Sequence, residues 1–151
     1  MTSMQQLLRT CVLAALTATA AAADVTYENT IRQLVDKRCA ECHGSDSPSI
    51  EEFDKDKEGY KAKKLGPRMD SYEALIVFVK GSDAGALMRR LDDGSNSKDG
   101  KPGNMYKRLG KEDADRAANL ALFKRWVGSW NLKRVNELAE EEKNAVLAPR
   151  N

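Results

Sequence analysis

Apolar residues recur at helical spacing along most of this chain, and no stretch alternates in the way that a half-buried strand requires. The first helical segment covers residues 24–42, in which Ile31, Leu34 and Val35 share one face. The second runs from about Ser71 to Lys80 and is strongly apolar. We therefore predict an all-α fold.

Further helices are predicted on both sides of that second segment, one of them within the polar, lysine-rich stretch 44–67. They cover about Ile50–Tyr60, Ala84–Asp93, Lys111–Val127 and Val135–Val146. Gly94 and Gly128 follow two of them directly and are typical helix stops. Between these two helices, Ser95–Met105 contains Asn, Gly and Pro residues that favour a loop.

The first 23 residues differ from the rest in composition. They contain one base, Arg9, and no acid, and the stretch from Cys11 to Ala23 is apolar and ends in small residues. This pattern is typical of a secretory signal peptide, here with cleavage after Ala23. A membrane anchor is less favoured, because the run is shorter than the roughly 20 residues that span a bilayer. Lipoprotein cleavage at Cys11 is less favoured because Arg9 and Thr10 stand where apolar and small residues are expected.

The predicted organisation has three parts: a signal peptide over 1–23, a helical domain over 24–128 and a C-terminal helical extension over 129–151. Export places the mature chain in the periplasm, and no later segment is long and apolar enough for stable membrane insertion. Cleavage also removes Cys11, which leaves Cys39 and Cys42 in an oxidising compartment.

Composition excludes some classes of function. The 25 Lys and Arg residues against 23 Asp and Glu give a net charge of +2, lower than a generic nucleic-acid binder has. Aromatic residues make up only 6% of the chain, which leaves little material for stacking bases. We expect no nucleic-acid partner. The single histidine, His43, excludes any site that needs two imidazoles from this chain.

The candidate chemistry is concentrated in one motif, Cys39-Ala40-Glu41-Cys42-His43. Its Cys-x-x-Cys-His spacing is that of covalent c-type haem attachment. Each thiol adds to one vinyl group, and the two intervening residues let one turn of backbone span the distance between the vinyls. His43 then lies under the iron as the proximal axial ligand. The motif occurs once and agrees with the predicted export, so we predict one covalent haem c.

Two other uses of the cysteine pair fit the sequence less well. A thiol–disulfide motif would be expected in a thioredoxin-like βαβ context, which the pattern lacks. A zinc site needs a fourth ligand, yet the predicted mature chain has no third Cys and no second His. Carboxylates seldom complete structural zinc sites.

A sixth iron ligand would have to come from elsewhere in the chain. The predicted mature chain has three methionines, Met69, Met88 and Met105, while Lys and Tyr are less common ligands. Met105 ends a glycine-rich loop that can carry a thioether to the iron face opposite His43. Met88 lies within a predicted helix, where core packing is expected, and Met69 lies at a helix start.

This order of parts resembles the class I c-type cytochromes, a family of small helical proteins wrapped around one covalently attached haem. The family's haem-motif helix, middle helix, methionine loop and C-terminal helix would be Tyr27–His43, Ser71–Lys80, Gly103–Met105 and Lys111–Val127. The resemblance covers about residues 27–128. It implies that His43 and Met105 are the two axial ligands.

The sequence departs from the family in two places. The usual apolar-Pro pattern at the ligand is absent, since Pro102 precedes Met105 by three residues. The family's Gly-Pro turn, whose carbonyl accepts the ring N–H of the ligating histidine, is matched by Gly66-Pro67 only at an extended distance. Pro48 is the alternative.

Ligation by two protein side chains predicts a monohaem electron carrier rather than an enzyme, because such an iron does not readily bind oxygen or peroxide. The alternative is a haem sensor or peroxidase-like protein with an exchangeable distal ligand. A third interpretation is an exported interaction module without haem. Lys107 and Arg108, beside Met105, would steer a redox partner protein that is acidic at its docking face.

Overall fold

The structure, a computed structural model, describes residues 24–151. The predicted signal peptide, with Arg9 and Cys11, lies outside the described residues. Within the described range the chain forms helices and no strand, so the predicted all-α fold is confirmed. None of the helices found between residues 24 and 151 has the length and apolar character needed to cross a membrane.

The helices are short, apart from one. They are a π-helical turn Tyr27–Ile31, α1 Arg32–Arg38, α2 Ala40–His43, α3 Ile50–Lys55, α4 Lys57–Ala62, α5 Tyr72–Ile76, α6 Ala86–Leu91, α7 Asp113–Val127 and α8 Glu140–Asn144. Two 3₁₀ turns cover Tyr106–Leu109 and Val135–Glu137.

The N-terminal helical segment begins at a capping box. The Thr26 hydroxyl accepts the N–H of Asn29, and the Asn29 side chain accepts the N–H of Thr26. This reciprocal pair satisfies two backbone donors that a helix start leaves open. The sequence predicts one helix over 24–42, whereas the structure breaks it at Cys39, where φ is −120°. The break separates α1 from the single turn that carries the rest of the motif.

Three other predicted helices are shorter or divided in the structure. The predicted helix Ile50–Tyr60 is two helices, because the Asp56 side chain accepts the N–H of Gly59 and starts a new helix. The helix predicted to reach Lys80 ends at Ile76 and continues as turns. The predicted C-terminal helix is a 3₁₀ turn followed by α8.

The core lies where α7 crosses the N-terminal helical segment. From α7, Phe123 and Trp126 are at most 1% exposed, and from the N-terminal segment Ile31 and Val35 are equally buried. Helices α5 and α6 complete this core with Leu75, Met88 and their neighbours. The crossing fixes the orientation of α1, whose C-terminal end leads into the cysteine motif.

Residues 146–150 form a C-terminal strap that lies across the core. The Pro149 carbonyl accepts the Tyr27 N–H at 2.9 Å and the Trp126 indole N–H at 2.8 Å. The Ala148 carbonyl accepts the Tyr72 hydroxyl at 3.1 Å. The strap therefore ties α7, α5 and the first helical turn together, and the C-terminal extension packs back on the domain.

Candidate haem site

The cysteine motif forms one tight helical turn. The N–H groups of Cys42 and His43 both donate to the Cys39 carbonyl, at 3.1 and 2.9 Å. Both thiols are free and partly buried. Burial, with a smaller contribution from the neighbouring Cys42 thiol, raises the pKa of the Cys39 thiol to about 11. The turn therefore presents two thiols and one imidazole within five consecutive residues.

Within residues 24–151, one backbone group holds the His43 ring. Its Nδ1 lies 2.7 Å from the Pro67 carbonyl oxygen. A carbonyl can only accept, so Nδ1 carries the proton and Nε2 keeps a free lone pair. Burial lowers the pKa of the imidazole, and the bond to Pro67 opposes this only in part. The ring is thus fixed in the tautomer that suits metal ligation through Nε2.

Pro67 reaches the ring because residues 66–69 run alongside the motif. The Gly66 N–H donates to the Cys42 carbonyl at 2.7 Å, and the Met69 N–H donates to the His43 carbonyl at 2.8 Å. The Pro48 carbonyl is engaged instead by the Arg68 N–H at 2.8 Å. Of the two carbonyls that the sequence left open, Pro67 is therefore the partner of the imidazole.

Gly66 packs directly against the imidazole face. A Cβ at this position would lie 2.6 Å from Nδ1 and 2.9 Å from Nε2 of His43, and closer still to Cε1. Real Cβ atoms essentially never approach other heavy atoms within 3.0 Å, so any side chain here would displace either the ring or the Gly66 backbone. We call this close approach of the Gly66 backbone to the His43 ring the glycine cradle, and only a residue without a side chain can form it.

The three methionines lie in different surroundings. Met88 is 2% exposed within α6 and belongs to the core. The backbone of Met69 is bonded to that of His43, which does not suit a ligand on the opposite face. Met105 is partly buried, ends the loop and directly precedes the 3₁₀ turn Tyr106–Leu109. Its environment is the one most compatible with a second axial ligand.

The Met105 loop is pinned to the C-terminal end of α6. The Met105 N–H donates to the Arg90 carbonyl at 2.9 Å, and the Gly103 N–H donates to the Asp92 carbonyl at 2.8 Å. A Cβ on Gly103 would collide with the backbone of Arg89 and Arg90, so only glycine allows this approach. Nothing in the sequence pattern singles out Asp92, although its side chain is almost completely buried.

These residues fit a haem attached through two thioethers. The two thiols stand one turn apart, the imidazole has a free Nε2, and the glycine cradle leaves the ring face uncrowded. They do not fit a metal ion alone: in residues 24–151 no group of three or more His, Cys, Asp or Glu residues is arranged to hold one.

Comparisons with known proteins show the family to which the chain belongs. The sequence model of the PccH cytochrome c family matches residues 26–146. Among solved structures, the monoheme cytochrome PccH from Geobacter sulfurreducens is 49% identical, with a TM-score of 0.79. The match covers 84% of this chain and 99% of that chain. No curated protein matches the chain.

Proposed function

The chain belongs to the PccH cytochrome c family, and from that premise we propose that it carries single electrons between redox partner proteins in the periplasm without catalysing a reaction of its own. Membership of this monohaem family implies one covalently attached haem c. The observation that carries the proposal is the His43 ring, held through Nδ1 by Pro67 with Nε2 free.

Each motif residue then has a separate role. Cys39 and Cys42 hold the haem through thioether bonds, and His43 ligates its iron. When bound, the haem supplies a one-electron couple between ferric and ferrous iron. The hydrogen bond from Nδ1 to Pro67 orients the imidazole and raises its basicity as a ligand.

Met105 is proposed as the second axial ligand. Support comes from its place at the end of an anchored loop, from the burial of Met88 in the core and from the backbone bond that holds Met69 beside His43. A neutral thioether favours ferrous iron more than a second imidazole does, so we expect a comparatively high reduction potential.

The Met105→Ala variant tests this ligand. We expect the sulfur-to-iron charge-transfer band of the ferric protein to disappear completely and the reduction potential to fall. Absorption spectra and a redox titration measure both. The control is Met69→Ala, which removes a thioether beside His43 and should leave the band in place.

Two outcomes would contradict the assignment. A charge-transfer band that survives in Met105→Ala means that another side chain ligates the iron. A ferric protein that lacks the band before any substitution favours the alternative function, a sensor or peroxidase-like protein with an exchangeable distal ligand.

A basic surface beside Met105 suits the approach of a partner. Lys107 and Arg108 follow Met105 directly, both are exposed, and neither side chain forms an ion pair within the described part of the chain. We propose that they steer an acidic partner towards the haem, since unpaired charges near a contact site speed association at low salt.

Lys107→Glu tests the steering with small charged oxidants. Oxidation of the ferrous protein by ferricyanide, an anion, should slow by roughly tenfold at low ionic strength, because the local potential changes sign. Oxidation by the cation tris(phenanthroline)cobalt(III) should accelerate, and both effects should shrink as salt rises. Stopped-flow absorbance measures the rates.

The matched control is Lys55→Glu, which makes the same charge change at an exposed lysine of α3 that forms no ion pair among residues 24–151. Equal rates for the two variants would show that only net charge matters and that residue 107 is not at the site of electron exchange.

A further inference from the structure

We propose that Asp92 is the positioning residue for Met105: its buried carboxylate closes the loop that delivers the thioether. This inference rests on the proposed function, because it assumes that Met105 ligates the iron. Asp92 follows the last residue of α6 and is 1% exposed.

The Asp92 carboxylate accepts four hydrogen bonds. Oδ2 accepts the backbone N–H groups of Gly94 at 2.9 Å and Asn96 at 3.2 Å. Oδ1 accepts the Asn96 side-chain amide and the Trp130 indole N–H, each at 2.8 Å. In each of the four bonds the partner is an N–H donor. Position 92 therefore requires a side chain whose two oxygens both accept.

The backbone of the same residue holds the other end of the loop. The Asp92 carbonyl accepts the Gly103 N–H at 2.8 Å, two residues before Met105. One residue therefore contacts the first part of the loop through its side chain and the last part through its backbone. The ten residues between positions 93 and 104 contain no regular helix. The Asp92 bonds therefore hold both ends of the loop, together with the Met105 N–H bond to the Arg90 carbonyl.

Trp130 connects this arrangement to the end of α7. Its indole N–H reaches Asp92, and the Lys124 ammonium lies 5.7 Å from its ring centroid. Trp130 packs against the hydrophobic core. Through Asp92, the loop that ends at Met105 is thus linked to an aromatic side chain that follows the C-terminal end of α7.

Asp92→Asn tests the proposal with nearly the same side-chain shape. The amide turns one acceptor into a donor, and in either orientation of the amide its NH2 group faces two N–H donors. A loosened loop should release the Met105 thioether more readily, and exogenous imidazole should therefore bind the ferric iron at least about tenfold more tightly. That factor corresponds to the loss of one hydrogen bond to a charged group. The charge-transfer band should weaken in parallel.

Asp93→Asn is the matched control, since it makes the same charge change at the adjacent residue. Among residues 24–151, the exposed Asp93 carboxylate accepts the Ser95 N–H and hydroxyl and pairs with Lys124. We expect its imidazole affinity and its band to equal those of the unsubstituted protein. Circular dichroism confirms that each variant is folded under the conditions of the titration.

Trp130→Phe keeps the proposal testable if Asp92→Asn does not fold. It removes one N–H donor to Asp92 and keeps an aromatic ring, so imidazole should bind a few-fold more tightly. Unchanged affinity and band in the folded Asp92 variant, or in Trp130→Phe when that variant alone folds, overturn the positioning role. A variant that loses stability but keeps its imidazole affinity and its charge-transfer band also overturns the positioning role. Such a result shows that Asp92 has a structural role only.

The Met105→Ala spectrum separates this proposal from the one on which it rests. If the band survives there, the ligand assignment fails and the positioning role fails with it. If the band is lost in Met105→Ala but Asp92→Asn behaves like its control, Met105 remains the ligand and only the role of Asp92 is wrong.

Discussion

A Gly66→Ala variant should lose most of its correctly ligated holoprotein. The added methyl group would lie within 3.0 Å of both ring nitrogens of His43, against a ring already fixed by Pro67. Either residues 66–69 move away from the motif, which breaks the bonds to Cys42 and His43, or the imidazole turns away from its ligating position. Forcing extra volume into a packed site costs about 1–3 kcal/mol, and we expect a value near 3 kcal/mol.

Urea unfolding of the holoprotein and the yield of covalently attached haem measure this effect. Gly100→Ala is the control, because a Cβ there would meet nothing within 4 Å although φ is +68°. It should cost about 1 kcal/mol from the left-handed backbone alone and leave the haem spectrum unchanged. A Gly66→Ala protein with normal stability and spectrum would show that the cradle is not needed.

Deletion of residues 146–151 should lower the free energy of unfolding by about 4 kcal/mol. Removing the buried Val146 side chain costs about 2 kcal/mol of apolar burial. The Trp126 indole, the Tyr27 N–H and the Tyr72 hydroxyl lose their acceptors in the strap, and each such bond contributes about 0.5–1.5 kcal/mol. Chemical denaturation of the holoprotein measures the change.

Removal of Asn151 alone is the control for this deletion, since that residue is exposed and contributes nothing to the core. The Trp126→Phe variant separates the contributions, because it deletes the indole N–H while the strap remains. A deleted protein as stable as the full chain would mean that the strap only covers the surface.

The local sequence pattern was sufficient to predict those features that depend on residues close together in the chain. The helix ending at Val127 before Gly128 follows from periodicity and from a typical stop, and the family follows from Cys39, Cys42 and His43. The assignment of these residues and of Met105 as haem ligands stays a prediction. The site is predictable to this extent because five consecutive residues contain most of its chemistry.

The contacts that complete the site are set by distant parts of the chain. Pro67 meets His43 across 24 positions, and Trp130 meets Asp92 across 38. No periodicity of 3.6 residues carries information over such separations. The division of the predicted helix 50–60 has a local cause, the Asp56 cap, which the prediction of a single helix overlooked.

The strap also brings the two ends of the described chain together. The Tyr27 and Glu28 N–H groups donate to the carbonyls of Pro149 and Arg150, at 2.9 and 3.0 Å. The first and last described segments of the domain are therefore neighbours. Adjacent termini are what circular permutation requires. We therefore expect a chain with the same helices in a permuted order to fold into the same arrangement around the haem.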